Sequence, residues 1–364
     1  MSLNHGANLF NLSNKLGIEK NKLIDFSSNI NPFGSSPKAK EAIINNVDMV
    51  SIYPDPEYKN LKKTISNYCE CKIENILLGS GATELISSFI KVIKPKKALL
   101  LSPSYSEYEE ELKKLNCEIV KFFTLKENGF KVNINELINI IKKIKCDLLI
   151  ICNPNNPTGF ALKNTEIQKI LHSCEIFVMV DETYVEFSDI DLFSSTKLTN
   201  KYPNLFIIRG TSKFFSTPGI RLGYGIISNE NIKNCINSSL DLWNINIFAN
   251  IMGEIMFKDF SYINNTKTKI IKEKTYLLDE LKSLNELKVY NSYGNFILCE
   301  LKTKKITAKK LYEKLLKKNI IIRDCSSFQG LNEYFFRVCI LTHEENKLLI
   351  NSLKSILKIH TNIC

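Results

Sequence analysis

The sequence predicts an α/β fold: a large domain on a mostly parallel β-sheet, followed by a smaller α+β domain. Three observations carry this. Apolar runs of strand length alternate with longer amphipathic stretches over roughly the first 265 residues. Those runs are continuous in polarity rather than alternating, and the pattern changes after about Asn265. A strand covered by helices on both faces buries both sets of side chains, so it reads as uninterrupted apolar sequence. In chain order the expected strands span residues 76–78, 98–101, 148–152, 176–180, 205–208 and 224–227. Beyond them the pattern predicts a lysine-rich helix over 266–284, strands near 288–290 and 295–300, and a helix at 308–317. Strands at 320–323 and 335–340 follow, with a final helix from Glu344. The expected organisation is an N-terminal arm (1–37) joining the small domain, a large ligand-binding domain (38–265) and a small C-terminal domain (266–364).

Composition excludes several classes. At 364 residues and 44% hydrophobic, the chain has ample length for one large and one small domain. No 18-residue apolar run exists, so no membrane-spanning helix is predicted, and the start lacks the apolar core of a signal peptide. Eleven cysteines lie scattered, and the one close pair, Cys69-x-Cys71, has neither zinc-finger nor redox spacing. Reduced thiols, a cytoplasmic setting and no bound metal are expected. The net charge of +11 comes from lysines spread along the chain without an arginine stripe. Solvated faces explain that distribution better than a nucleic-acid surface, and a positive field suits an anionic small-molecule substrate.

The polar motifs fall just after the expected strands, where open α/β sheets bind ligands. Gly79-Ser-Gly-Ala-Thr-Glu84 follows a short strand and opens an amphipathic helix. Its glycines let the backbone approach an anion, and the helix amides of Ala82 and Thr83 point at it. Tyr105 follows the next strand, placed to stack on an aromatic ring. In Asn153-Pro-Asn-Asn-Pro-Thr-Gly159 the prolines stiffen a loop that presents the Asn156 amide. Asp181 ends an apolar run, and a buried carboxylate needs a partner such as a protonated ring nitrogen. Tyr184, three residues on, can donate to a ring oxygen, whereas Glu182 reads as structural. Lys213 lies in Arg209-Gly-Thr-Ser-Lys-Phe-Phe-Ser-Thr-Pro-Gly-Ile-Arg221. An amine for an aldehyde, an acid for a ring nitrogen and a guanidinium for a phosphate are what pyridoxal 5′-phosphate requires. Lys213 must lose its proton to react, and Arg221 together with desolvation is expected to lower its pKa.

Arginine usage sharpens this. Of the 49 Lys and Arg residues only Arg209, Arg221, Arg323 and Arg337 are arginine. In so lysine-biased a chain, arginine is expected where a planar, two-pronged donor matters, against phosphate or carboxylate. Arg209 is the one expected in a structural ion pair.

Together these segments resemble the class I/II (fold type I) aminotransferase superfamily, nearest its histidinol-phosphate aminotransferase branch, over nearly the whole chain. Both ends are similar to the L-threonine-O-3-phosphate decarboxylases of cobamide synthesis within that branch. One end is His5-Gly-Ala-Asn8 followed by Leu23-Ile-Asp-Phe-Ser-Ser-Asn-Ile-Asn-Pro-Phe-Gly34; the other is Ile322-Arg-Asp-Cys-Ser-Ser-Phe-Gln-Gly-Leu331 followed by Tyr334-Phe-Phe-Arg-Val338. The resemblance implies an aspartate aminotransferase-like fold in which Lys213 carries the cofactor. Asp181, Tyr184 and Asn156 would hold its ring; Ala82, Thr83, Ser212 and Arg221 its phosphate. Tyr53 would reach the cofactor phosphate of a neighbouring subunit, implying a homodimer. Arg337 would bind the substrate carboxylate with Asn156, and His5, Gly6, Asn31 and Arg323 would surround the substrate and its phosphate. Three positions depart from the pattern: Ala7 for a second glycine, Gly210 for a hydroxyl residue, and Leu341 for a second arginine. Two activities follow from the resemblance: decarboxylation of a phosphorylated amino acid, or transamination of the histidinol-phosphate type. A third, a regulator built on the same fold, lacks an appended DNA-binding domain.

Overall fold

A computed structural model describes residues 8–361. Thirteen strands occur in these residues: β1 (Ile24–Asp25), β2 (Ile76–Gly79), β3 (Lys97–Ser102), β4 (Glu118–Phe123), β5 (Leu148–Cys152), β6 (Phe177–Asp181), β7 (Leu205–Gly210), β8 (Gly223–Ile226), β9 (Leu287–Val289), β10 (Phe296–Leu301), β11 (Ile320–Ile321), β12 (Arg323–Asp324) and β13 (Phe335–Cys339). The large sheet has the order β2-β8-β7-β6-β5-β3-β4. All its neighbours run parallel except β8, which is antiparallel to both β2 and β7.

Both faces of this sheet are covered, as its continuous apolar strands require. In β6, Val178 and Val180 enter one apolar core while Met179 enters the other; in β5, Leu149 and Ile151 oppose Leu148 and Ile150 in the same way. Strand β4 escapes the sequence reading because it is an edge strand with exposed Glu118 and Phe123. The direction of β8 is equally illegible, since a buried apolar run looks the same either way along the chain.

Arg209, near the end of β7, is the arginine expected in a structural pair. It is fully buried, donating to Glu182 at 3.0 and 2.8 Å and to the Ser194 hydroxyl at 2.6 Å, with Glu186 at 3.6 Å. Glu182 also accepts from the Ser195 amide at 2.6 Å, so it belongs to this cluster and not to the cavity.

The second sheet, β12-β13-β10-β9, is antiparallel throughout. The stretch expected as one strand over 320–323 is split between two sheets. Ile320 and Ile321 pair in parallel with Ile24 and Asp25 of the N-terminal arm, and Arg323 turns to face Arg337 on β13. The arm continues along the small sheet, where the Cys339 amide donates to the Phe26 carbonyl at 2.9 Å. The helix expected from 266 begins earlier, as Phe260–Lys282, capped by the Asp259 carboxylate on the Tyr262 amide. It packs on the small domain through β9 and the last helix, and on the large one near Val185–Phe187. Among the described residues no helix is long and apolar enough to cross a membrane.

Candidate active site

A cavity of about 420 Å³ opens between the sheet of the large domain, the N-terminal arm and the small domain. Lys213, Asp181, Tyr184, Asn156, Tyr105, Ala82, Thr83, Ser212, Arg221, Arg323 and Arg337 all line it.

Its anion end is built from backbone. Gly81, with φ +91°, caps the helix Ala82–Ile93, and a Cβ there would collide with the Arg221 guanidinium. A Cβ on Gly223 would sit 2.5 Å from the Ala82 nitrogen. Only glycines allow β8 and Arg221 to close on this helix start. Arg221, itself at φ +62°, donates to the Ser80 and Pro218 carbonyls at 3.3 and 3.2 Å. Amides at a helix N-terminus beside a guanidinium and the Ser212 side chain form a donor set suited to a phosphate.

At the opposite end of this region, Asp181 closes β6. The Tyr108 hydroxyl donates to one carboxylate oxygen at 2.6 Å, while the Thr183 amide and hydroxyl donate to the other at 2.9 and 2.5 Å. Burial raises the carboxyl pKa, and these three donors oppose it. The result is a deeply placed acid oriented by its neighbours, suited to a protonated ring nitrogen. Tyr105 lies edge-on to Tyr108 with centroids 5.5 Å apart. Burial pushes the Tyr184 phenol up to about 12, so it stays a proton donor at neutral pH; its oxygen accepts from Asn29 at 3.4 Å.

Lys213 is half-buried, and its amine donates to the Ser28 carbonyl at 2.7 Å. Its pKa is lowered to about 8, first by burial and then by the Arg337 cation; Arg221 contributes least. The expected lowering by burial and by Arg221 is present, and Arg337 adds a larger effect that the sequence reading did not name. Arg221 is exposed at the anion end, whereas Arg337, on β13 of the small domain, is buried.

Arg337 donates to the Asn156 carbonyl oxygen and, at 2.6 Å, to the Ser27 carbonyl; its guanidinium lies 5.2 Å from the Phe296 ring centroid. Its Nε is buried without a hydrogen-bond partner. Arg323 donates to the Ser327 hydroxyl at 3.1 Å and lies 5.4 Å from the Phe328 centroid.

Two expected positions do not line the cavity. Asn31 is buried beside it, but its amide donates to the Phe214 carbonyl at 2.9 Å and the Tyr262 hydroxyl at 3.1 Å, while its oxygen caps the Phe33 amide. Those bonds fold the arm around the lysine segment and occupy the side chain, which does not line the cavity. Tyr53 is 74% exposed, stacked on Trp243 at 4.2 Å. His5 and Gly6 lie outside the described residues. Tyr108, Thr183, Ser27, Ser28 and Phe328, which the sequence reading passed over, also line the cavity. Tyr108 had a signal, the three-residue spacing from Tyr105 that puts both at one end of a helix; Thr183 had another, its position two residues after an Asp. Ser27 and Ser28 contribute carbonyls, which no residue type announces.

These donors fit pyridoxal 5′-phosphate in chemistry and arrangement. Residues 21–353 match the family model of class I and II aminotransferases. The chain is 40% identical over 333 residues, 90% of its length and 89% of the relative's, to a Caldanaerobacter subterraneus protein provisionally named threonine-phosphate decarboxylase. It is 31% identical over 351 residues, 95% of its length and 94% of the relative's, to the histidinol-phosphate aminotransferase of Methanosphaera stadtmanae. The crystal structure of histidinol-phosphate aminotransferase from Clostridium acetobutylicum superposes with a TM-score of 0.86 at 34% identity, covering 94% of this chain and all of that one. The chain therefore belongs to the class I and II aminotransferase family, and its cofactor is pyridoxal 5′-phosphate.

Proposed function

We propose that this enzyme decarboxylates L-threonine O-3-phosphate to (R)-1-amino-2-propanol O-2-phosphate, a reaction of cobamide synthesis in the cytoplasm. One observation carries the reading beyond the family. Arg323 and Arg337 are direct partners across β12 and β13, and both guanidiniums enter the cavity that holds Lys213. Two planar, two-pronged cations lining one cavity suit an amino acid with a second acidic group. The 40% identical relative supports the same reading.

In this reading the helix start at Ala82 and Thr83, with Ser212 and Arg221, holds the cofactor phosphate. Tyr105 stacks on the ring, and Tyr184 and Asn156 hold its oxygen. When bound, pyridoxal 5′-phosphate supplies a ring that withdraws the electron pair left at the substrate Cα. Asp181 would pair with the ring nitrogen and hold a proton there. Arg337 and Asn156 would grip the substrate carboxylate and so orient the bonds at Cα for cleavage. Arg323 holds the substrate phosphate, and that remote contact supplies orientation at the reacting carbon. Lys213 delivers a proton to Cα after CO₂ departs.

Transamination of the histidinol-phosphate type is the second reading, favoured by the 31% identical relative that covers 95% of this chain. There Lys213 would instead remove the Cα proton. The holoenzyme mixed with L-threonine O-phosphate, without any keto acid, distinguishes them by mass spectrometry. Sustained release of CO₂ and aminopropanol phosphate is expected. A single half-turn to pyridoxamine phosphate, completed only on adding 2-oxoglutarate, would establish the transaminase.

The working form in this reading is a homodimer. Tyr53 does not line its own cavity but stacks on Trp243, and Val50, Ile52 and Leu242, their chain neighbours, are also exposed. A second copy covering that surface would bring Tyr53 to the neighbouring cofactor phosphate.

A further inference from the structure

Lys274 lies outside the cavity, on the helix Phe260–Lys282. It is half-buried, and its amine donates to two backbone carbonyls, Ser292 and Gly294, each at 3.3 Å. No carboxylate among the described residues pairs with it, and burial alone pushes its amine down to about 8. Placing a lysine head there is costly, and a methionine would cover the same apolar stem without that cost.

The loop between β9 and β10 that carries those carbonyls touches all three segments that build the substrate side of the cavity. The Tyr293 amide donates to the Gly159 carbonyl at 2.7 Å, and the Tyr293 ring lies 4.5 Å from that of Phe193. Gly159, at φ +73°, ends the turn carrying Asn156, and a Cβ on it would overlap Ser292. The Asn295 side chain donates to the Asn29 carbonyl at 3.0 Å, in the arm whose Ser27 and Ser28 carbonyls take Arg337 and Lys213. The Asn295 carbonyl accepts from the Ile340 amide at 2.7 Å, three residues beyond Arg337.

We propose that Lys274 is a positioning residue for substrate binding: its amine fixes the loop at Ser292 and Gly294, and through that loop sets the spacing of Asn156, Arg337 and the Ser27–Asn29 arm. It acts at a distance, by holding backbone, and touches neither substrate nor cofactor. The proposal rests on Arg337 and Asn156 being the carboxylate site and is indifferent to which Cα bond breaks.

The test compares Lys274→Met, Lys274→Arg and Arg337→Gln holoenzymes for KM, kcat, cofactor dissociation constant and Tm. For Lys274→Met, KM is expected to rise about tenfold with kcat within about twofold, the pattern of lost ground-state positioning. Because Asn156 is also assigned to the cofactor ring, the cofactor dissociation constant should rise by much less than KM, and Lys274→Arg should recover most of the KM change. An unchanged KM with a lower Tm, or KM and cofactor dissociation rising in parallel, would overturn the proposal, since either marks a purely structural role. If Arg337→Gln leaves KM unchanged, the carboxylate site is misassigned and this proposal falls with it. If Arg337→Gln raises KM and Lys274→Met does not, the site stands and only this proposal fails. Should Lys274→Met prove insoluble, Lys274→Gln, which falls short of both carbonyls, is judged by the same criteria.

Discussion

A lysine must be an amine before it can be a nucleophile, and at an ordinary lysine pKa almost none of it is. Here burial and the Arg337 cation both disfavour the ammonium, bringing Lys213 to about 8. The sign is fixed by the charge lost: below pH 8 the amine is mostly protonated and unreactive, and above it mostly neutral. Cofactor uptake by the apo-protein, followed by absorbance, is therefore expected to rise roughly tenfold from pH 6 to pH 7 and to level off above about pH 8. Arg337→Gln removes a neighbouring cation, so the amine pKa rises and the plateau shifts to higher pH. An identical profile in that variant would show that burial alone sets the amine. In the proposed reading the same arginine would serve two ends, lowering the Lys213 pKa and gripping a carboxylate, which accounts for arginine at this position in a lysine-rich chain.

At the scale of elements, the ends of strands organise the site. β6 delivers Asp181, β5 leads into the turn of Asn156, and β2 leads into the helix start at Ala82. Beneath them, β7 anchors the floor through Arg209, whose guanidinium is enclosed by Glu182, Glu186 and Ser194. Removing it as Arg209→Met leaves two buried carboxylates without a counter-charge. A stability loss of about 3–5 kcal/mol is expected in denaturant titration at pH 8. The loss should be smaller at pH 5. Burial already pushes the Glu186 carboxyl up to about 7, so it binds a proton in the folded state as pH falls, and that neutralises the orphaned charge. A loss independent of pH would mean that the cluster stabilises by packing rather than by charge.

For the whole molecule, the proposed dimer rests on the surface around Tyr53. Val47, Val50, Ile52, Leu242 and Trp243 are all exposed apolar residues, an unusual concentration on a protein whose other apolar side chains are largely buried. Sedimentation is expected to give about twice the 41.7 kDa chain mass. Ile52→Glu combined with Trp243→Glu should yield a folded monomer with weakened cofactor binding, because each site would lose the neighbouring Tyr53. A monomer retaining full cofactor affinity would remove Tyr53 from the site.

The sequence by itself determined the layered α/β class, the cofactor and most of the cavity's residues. Each of those rests on local chemistry. A glycine-opened helix start binds anions wherever it occurs, and an acid ending an apolar strand is deep in any parallel sheet. Even the structural role of Arg209 was legible from composition. Contacts between distant segments were not. The tertiary structure alone turned β8 antiparallel, set Arg323 opposite Arg337, and added the Arg337 charge to that of Arg221 near the Lys213 amine. It also bound Asn31 into the arm, delivered the Ser27 and Ser28 carbonyls, and braced the substrate side through Lys274. Partners such as Ser28 and Lys213 lie 185 residues apart, and backbone carbonyls carry no side-chain signature. Only the closing of the small domain and the arm onto the large sheet brings such groups together.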